Sequence, residues 1–120
     1  MSYNIYAVDE KKEIVEVEKH YLKGGTYALS GTKEAYLNIT FNYSNQFKKV
    51  FYKGIVDIDG FRVIDTITLL ENSKNKLQNN LSCNYWESTE GNAKKSLIDL
   101  LELAYMVLNS NIRARWLVHY

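Results

Sequence analysis

Residues 35–43 alternate between apolar and more polar side chains, and no other feature of the chain constrains its fold as strongly. Successive side chains of a β-strand point to opposite faces, so the alternation predicts a strand with two unlike faces. The apolar face would carry Ala35, Leu37, Ile39, Phe41 and Tyr43. The polar face would carry Tyr36, Asn38, Thr40 and Asn42. One face on a core and one polar face is typical of an antiparallel sheet.

Further strand signals lie towards both ends of the chain. Residues 3–8 and 14–18 predict a β-hairpin around the polar break at 9–12, with Glu16 and Glu18 on the solvent side. A short strand is expected at 26–29, between two glycine turns. Residues 112–120 alternate again, which favours a final edge strand over a helical extension.

The spacing of apolar residues predicts two helices in the middle of the chain. Ser44 would cap a short one, since Phe47, Val50 and Phe51 follow with the i, i+3, i+4 spacing of one helix face. A longer helix is expected at 65–79. Its core side would carry Val63, Ile67, Leu70, Leu77 and Leu81. Residues 54–60 fit either an irregular connection or a short strand.

The last helix has the most continuous apolar stripe of the chain. Thr89 would be its N-cap, and residues 109–111 would end it. The stripe comprises Ala93, Leu97, Leu100, Leu101, Ala104, Tyr105 and Leu108.

The order of these elements predicts one α+β domain over residues 1–120. We expect a mainly antiparallel sheet of about four to five strands, with two main helices and one short helix packed on one face. The chain contains no proline, so Gly, Asn, Ser and Asp must supply its turns.

Charge and residue usage exclude several classes of function. A net charge of +1 argues against both a general nucleic-acid binder and an acidic mimic of DNA. Cys83 is the only cysteine, and the chain shows neither a leader nor a membrane-spanning run, so a cytoplasmic protein is expected. His20, His119 and Cys83 form no metal-ligand spacing, and no catalytic cluster is apparent. We therefore expect no metal, no cofactor and no enzymatic activity.

Two parts of the sequence are candidates for binding a partner. The polar strand face would offer Tyr36, Asn38, Thr40 and Asn42 as a row of amides and hydroxyls, unless it is an ordinary solvated face. Tyr85, Trp86 and Glu87 lie just before the last helix. Tyrosine and tryptophan are favoured interface anchors, but such a loop could equally cover the core.

Two glycine turns combine a hydroxyl with a lysine and could bind an anion or a nucleotide. Bare backbone N–H groups in such turns can contact phosphate, although plain turns are the simpler interpretation. The candidate residues are Lys23, Gly24, Gly25 and Thr26 in the first turn, and Gly31, Thr32 and Lys33 in the second.

Three stretches, 24–27, 31–44 and 84–94, carry a resemblance to known sequences. They resemble G-G-T-Y, G-G-T-x-E-A-W-L-N-I-T-Y-N-Y-S and N-Y-W-E-A-T-x-G-N-A-K in a group of small uncharacterised proteins from phages and mobile elements of Gram-positive bacteria. The chain departs from that group at Ser30, Tyr36 and Phe41, where the group has Gly, Trp and Tyr.

The resemblance implies a phage or mobile-element accessory protein acting in the cytoplasm of a bacterial host. We expect it to bind and inhibit a host defence protein or complex without catalysis, as anti-CRISPR and similar counter-defence proteins do. The alternative is a sponge that sequesters a nucleotide immune signal through the two glycine turns, and a small enzyme is the third choice. Neither membrane binding nor general nucleic-acid binding is expected, and assembly into a homo-oligomer would be compatible with either function.

Overall fold

The computed structural model describes residues 1–25 and 31–120, so the strand expected at 26–29 lies outside the described residues. Within these ranges the chain forms five strands and three α-helices, which confirms the predicted α+β class. The elements are β1 (Ser2–Val8), β2 (Glu16–His20), β3 (Thr32–Glu34), β4 (Tyr36–Thr40), α1 (Ser44–Phe47), α2 (Val63–Asn75), α3 (Glu90–Ser110) and β5 (Arg115–His119). Short 3-10 helices occur at Phe41–Tyr43 and Ile55–Ile58.

The strands form two antiparallel sheets, one with the order β4-β1-β5 and one that pairs β2 with β3. In the three-stranded sheet, Ile5 lies opposite both Leu37 and Val118. This inner face is buried against the helices, and its core side chains are Ile5, Ala7, Leu37, Ile39, Trp116 and Val118. The expected packing of helices on one sheet face follows from this burial.

The two sheets meet at a three-way main-chain junction, which corrects the predicted hairpin. Ala7 N donates to Ala35 O, Ala35 N to Val15 O, and Val15 N to Ala7 O, each at 2.9 Å. Because Ala35 occupies the gap between the first two segments, β2 leaves β1 after a single bridge and pairs with β3 instead. Glu16 and Glu18 are exposed, as predicted.

The alternating strand ends at Thr40, three residues before its predicted end. Thr40 Oγ1 accepts a hydrogen bond from Asn42 N at 3.2 Å and caps the 3-10 helix that follows. This local bond competes with the extended conformation. Thr40 is consequently 1% exposed rather than part of a polar face, and Phe41 is only half-buried.

The helices begin and end close to their predicted positions, with three corrections. Ser44 lies inside α1 and caps nothing; its hydroxyl hydrogen-bonds the Tyr3 hydroxyl at 2.6 Å. Helix α2 covers Val63–Asn75, so Leu81 lies well beyond it and is exposed. Thr89 caps α3 as predicted, accepting from Asn92 N at 3.0 Å, but Tyr105 on its stripe is 48% exposed.

Strand β5 forms at the predicted terminal segment, and residues 59–63 cover its outer side. Gly60 N donates to Trp116 O, and Trp116 N donates to Phe61 O, both at 2.9 Å. The Trp116 indole N–H also reaches Thr66 Oγ1 at 2.8 Å. Residues 54–60 therefore contain a 3-10 helix and an irregular connection, not a strand. Across the described ranges, no helix combines the length and apolarity needed to cross a membrane.

Candidate functional site

The loop at residues 84–88, here called the aromatic loop, is fixed from one side by the segment that follows β4. Its second carbonyl oxygen accepts a hydrogen bond from the Tyr43 hydroxyl. Its third accepts from Asn42 Nδ2 at 2.9 Å, and its fifth accepts from Gln46 Nε2 at 2.8 Å. The segment 42–46 thus binds the main chain of a loop some 40 residues later in the sequence.

Asn92, in the first turn of α3, fixes the same loop from the other side. Its Nδ2 donates to the first loop carbonyl at 3.2 Å and to the fourth at 2.9 Å. Its Oδ1 accepts from Ser82 N at 3.1 Å, and the side chain is 5% exposed. All five carbonyl groups of the aromatic loop therefore accept a hydrogen bond from a side chain.

This fixed main chain presents aromatic rings at the surface. Trp86 is 52% exposed and packs on the half-buried Tyr85, with ring centroids 4.8 Å apart. Glu87 is exposed beside them. Tyr85 lines the pocket described below, whereas the Trp86 ring is open to solvent.

Three of the side chains that hold the aromatic loop come from two separate stretches of the sequence, 31–44 and 84–94. Asn42 and Tyr43 come from the first stretch, and Asn92 comes from the second. All three bind the carbonyl groups of the loop that opens the second stretch. Asn42 had been placed on the polar strand face, whereas its amide holds the loop.

The outer face of the three-stranded sheet carries the other predicted contact residues. Asn38 Nδ2 donates to Ser2 Oγ at 2.7 Å and to Asn4 Oδ1 at 2.8 Å. The Tyr36 hydroxyl donates to the same Asn4 oxygen at 2.7 Å, and its ring stacks on Tyr6 at 4.9 Å. Ser2 and Asn4 of β1 add polar groups to this face, which the sequence did not indicate. Tyr36 and Asn38 are half-buried, so they form a cross-linked network rather than an isolated row.

The first glycine turn packs against α3 through hydrogen bonds in both directions. Gly24 N donates to Asp99 Oδ2 at 3.2 Å, and Ser96 Oγ donates to Gly24 O at 2.7 Å. Gly25 has a φ of +96°, and a Cβ there would lie 2.4 Å from the Tyr43 ring. The turn needs glycine at this position for both reasons.

The second glycine turn leads into β3, and a Cβ at Gly31 would lie 2.6 Å from the Tyr21 ring. Thr32 Oγ1 accepts from Glu34 N at 3.0 Å within β3, and Lys33 is exposed on the same strand. Gly31 precedes this strand with a φ of +97°. Thr26 lies outside the described residues. Among the described residues, Lys23 and Gly25 of the first turn line the pocket described next, whereas none of the second turn does.

A pocket of about 590 Å³ lies between residues 21–25, residues 81–85 and α3. It brings Lys23 and Gly25, predicted as anion contacts, next to Tyr85, predicted as a protein contact. Asp99 and Lys95 of α3 complete it, and the sequence interpretation missed both. The signal was present: Asn92, Ser96 and Asp99 follow one another at helical spacing beside the apolar stripe.

Two ionisable groups of this pocket are perturbed by burial. Asp99 is 8% exposed, and loss of solvation raises the pKa of its carboxyl, with the nearby Lys95 opposing the shift. Burial raises the pKa of Tyr43 to about 12, and the neighbouring Tyr85 adds to the increase. Tyr43 therefore stays a neutral hydroxyl donor to the aromatic loop at any physiological pH.

No metal centre is formed by the part of the chain that the structure describes, where no group of three or more His, Cys, Asp or Glu could hold an ion. His20 is buried and bonds Glu34 O through Nε2, while His119 lies edge-on to Tyr6 on the outer sheet face. Cys83 is exposed at the pocket. Comparison with family models, curated proteins and solved structures finds no match to this chain.

Proposed function

We propose that the chain is a non-enzymatic binding protein that presents the aromatic loop to a macromolecular partner. The observation that carries this proposal is the bonding of all five loop carbonyl groups to side chains of 42–46 and α3. The aromatic loop is thereby ordered before any partner binds. Holding it in one conformation before binding lowers the entropy that a partner must overcome.

The exposed ring of Trp86 is the principal contact in this proposal. Tryptophan combines a large apolar area with one hydrogen-bond donor and is common among residues that dominate binding energy. Asn42, two residues after the end of β4, bonds Trp86 O and so links the aromatic loop to the strand of the outer sheet face. Asn38 and Tyr36 would then form a polar rim around the aromatic contact.

The partner we propose is a component of a bacterial defence system, whose functional surface the protein would cover. The resemblance to phage and mobile-element proteins supports this choice. The charge balance is compatible with a protein surface, since a net charge of +1 neither attracts nor repels polyanions strongly. The proposed inhibitor acts by occupancy, so it consumes no substrate.

The test compares two exposed aromatic residues in a host that carries active defence systems. Tagged wild type, Trp86→Ala and Tyr52→Ala are used to capture partners, and binding of the captured component is then measured with purified proteins. Tyr52 is 90% exposed and lies outside the aromatic loop, which makes it a matched control. We expect Trp86→Ala to weaken binding about tenfold or more, and Tyr52→Ala to bind like wild type.

The same proteins are expressed during phage challenge of that host. Wild type and Tyr52→Ala should restore phage growth, and Trp86→Ala should not. Equal binding by Trp86→Ala and wild type, with both folded by circular dichroism, would remove the aromatic loop as the contact surface. Failure of wild type to affect any defence system would remove the proposed partner class.

A further inference from the structure

We propose that the pocket between residues 21–25, residues 81–85 and α3 binds a nucleotide whose base carries an exocyclic amino group. Asp99 would accept a hydrogen bond from the base, while Lys23 and Lys95 would contact the phosphate. This site goes beyond the contact surface proposed above, since Trp86 and the outer sheet face are not part of it.

Asp99 carries the one carboxyl among the described residues that line the pocket. Asp99 Oδ2 accepts from Gly24 N, but Oδ1 has no hydrogen-bond partner among the described residues. Its nearest charge is Lys95 Nζ at 4.0 Å, which is beyond hydrogen-bond distance. Asp99 is 8% exposed as a residue and 12% exposed over its side chain, and a carboxylate so largely buried is costly unless donors surround it.

The other polar side chains on the pocket floor are already committed. Asn92 uses its amide in three hydrogen bonds to the segment 82–87, and the Tyr43 hydroxyl is bonded to the aromatic loop. A ligand in the pocket must therefore bring a donor to Asp99. Carboxylates accept from exocyclic amino groups of bases. Uracil fits worse, because carbonyl oxygens flank its ring N–H and would face the carboxylate.

The walls of the pocket suit a planar ring. Tyr21 and Tyr85 line it with aromatic surface, and Leu81 adds an exposed apolar side chain. Stacking of a base on such side chains is favourable for any base. A volume of about 590 Å³ lies within the range of known small-molecule sites.

The charges at the pocket favour an anion over a cation. Two lysines, Lys23 and Lys95, face one carboxyl, Asp99, among the described lining residues. Lys95 precedes Asp99 by one helical turn, and its side chain is 63% exposed at the mouth. A nucleotide with its amino-bearing base inside the pocket and its phosphate at the mouth would place a hydrogen-bond donor at the carboxyl and a negative charge at the lysines.

The experiment measures thermal stabilisation and calorimetric binding of the full chain with AMP, GMP, CMP, UMP and inorganic phosphate. Ligands that bind only the folded state raise its melting temperature. We expect at least one amino-bearing nucleotide to bind more tightly than UMP, and phosphate alone to bind weakest. Asp99→Asn should weaken that nucleotide about tenfold or more, since a bond to a charged group is lost.

Lys95→Gln is compared with Lys76→Gln, an exposed lysine after α2 that does not line the pocket. Lys95→Gln should weaken binding of the nucleotide but not of the corresponding nucleoside. Lys76→Gln should change neither affinity. The proposal is overturned if no nucleotide binds wild type, if phosphate alone binds as well, or if Asp99→Asn binds unchanged. None of these results depends on the partner-capture experiment, so the two proposals fail separately.

Discussion

The two halves of α3 hold the molecule together by different means. The inward side of the first half carries Asn92, which bonds the main chain of the segment 82–87, and Ser96 and Asp99, which bond the main chain of Gly24. The inward side of the second half is apolar: Leu100, Leu103, Ala104 and Val107, all fully buried. The first half of α3 thus holds loops through hydrogen bonds, and its second half packs on other helices and strands through apolar contacts.

The difference follows from what each half packs against. Loops bring main-chain N–H and C=O groups that have no partners of their own, so only polar side chains can bury them. Helix α2 and strand β2 already satisfy their main chains and need only apolar contact. The polar half of α3 is therefore where the pocket and the aromatic loop are assembled, and the apolar half sets the global stability.

Substitution in the apolar half should have the largest effect. Leu100→Ala leaves a cavity in the core and is expected to cost about 2 to 5 kcal/mol of the free energy of unfolding. Leu69→Ala on α2, where the leucine is 42% exposed, should cost less than about 1 kcal/mol. Urea denaturation of both variants checks this. Equal losses of unfolding free energy in the two variants would mean that Leu100 is not a core residue.

Substitution in the polar half should be smaller and local. Asn92→Ala removes three hydrogen bonds and is expected to cost about 1 to 3 kcal/mol. Amide hydrogen exchange should accelerate at 82–88 well before β5 or α2. The matched control is Asn109→Ala, an exposed asparagine on the same helix, which should leave exchange at 82–88 unchanged. Uniform acceleration over the whole chain would erase the distinction between the two halves.

The smallest effect, and the only stabilising one, is expected at Asp99. Burial raises the pKa of this carboxyl in the folded state, so its contribution to stability is fully present below 3.8 and is lost as the pH rises through the raised pKa. Asp99→Asn avoids that loss while keeping an acceptor for Gly24 N. It should melt above wild type at about pH 7, with the gap closing towards pH 3.8.

Calorimetric melting across that pH range tests the Asp99 prediction. Glu16→Gln, at an exposed carboxyl of β2, is the control and should show no such closing gap. A pH-independent difference between Asp99→Asn and wild type would show that the carboxyl is not penalised by burial. A gain in stability on replacing a charged residue is typical of a binding site, where function is kept at some cost in stability.

Sequence periodicity predicted which residues are buried where the buried positions recur regularly along a single strand or helix. The inward set Ala35, Leu37 and Ile39 is confirmed, as is most of the α3 stripe. The pairing of β2 with β3 could not be predicted, because it depends on Ala35 bonding two segments that lie far apart in the chain. The alternating strand was predicted three residues too long, because the cap at Thr40 begins a 3-10 helix where the alternation continues.

The candidate site was predicted in fragments. Lys23, Gly25 and Tyr85 were chosen for two different reasons, and only the fold places them around one pocket. Asp99 was missed because a carboxyl on an amphipathic helix is ordinarily assigned to its solvent side. The carbonyl-binding roles of Asn42 and Tyr43 could not be predicted, since nothing in the sequence relates them to a loop more than 40 residues later.

The strand order β4-β1-β5 has a consequence for how the protein is made. Strand β1 is the central strand of its sheet, and one of its partners is Arg115–His119, more than 100 residues later in the chain. On the ribosome, β1 is synthesised first but must wait for that partner, with one edge unpaired. Contacts between such distant residues slow folding, and an unpaired strand edge can recruit other chains. The three-stranded sheet therefore cannot be completed until more than 100 residues after β1 have been synthesised.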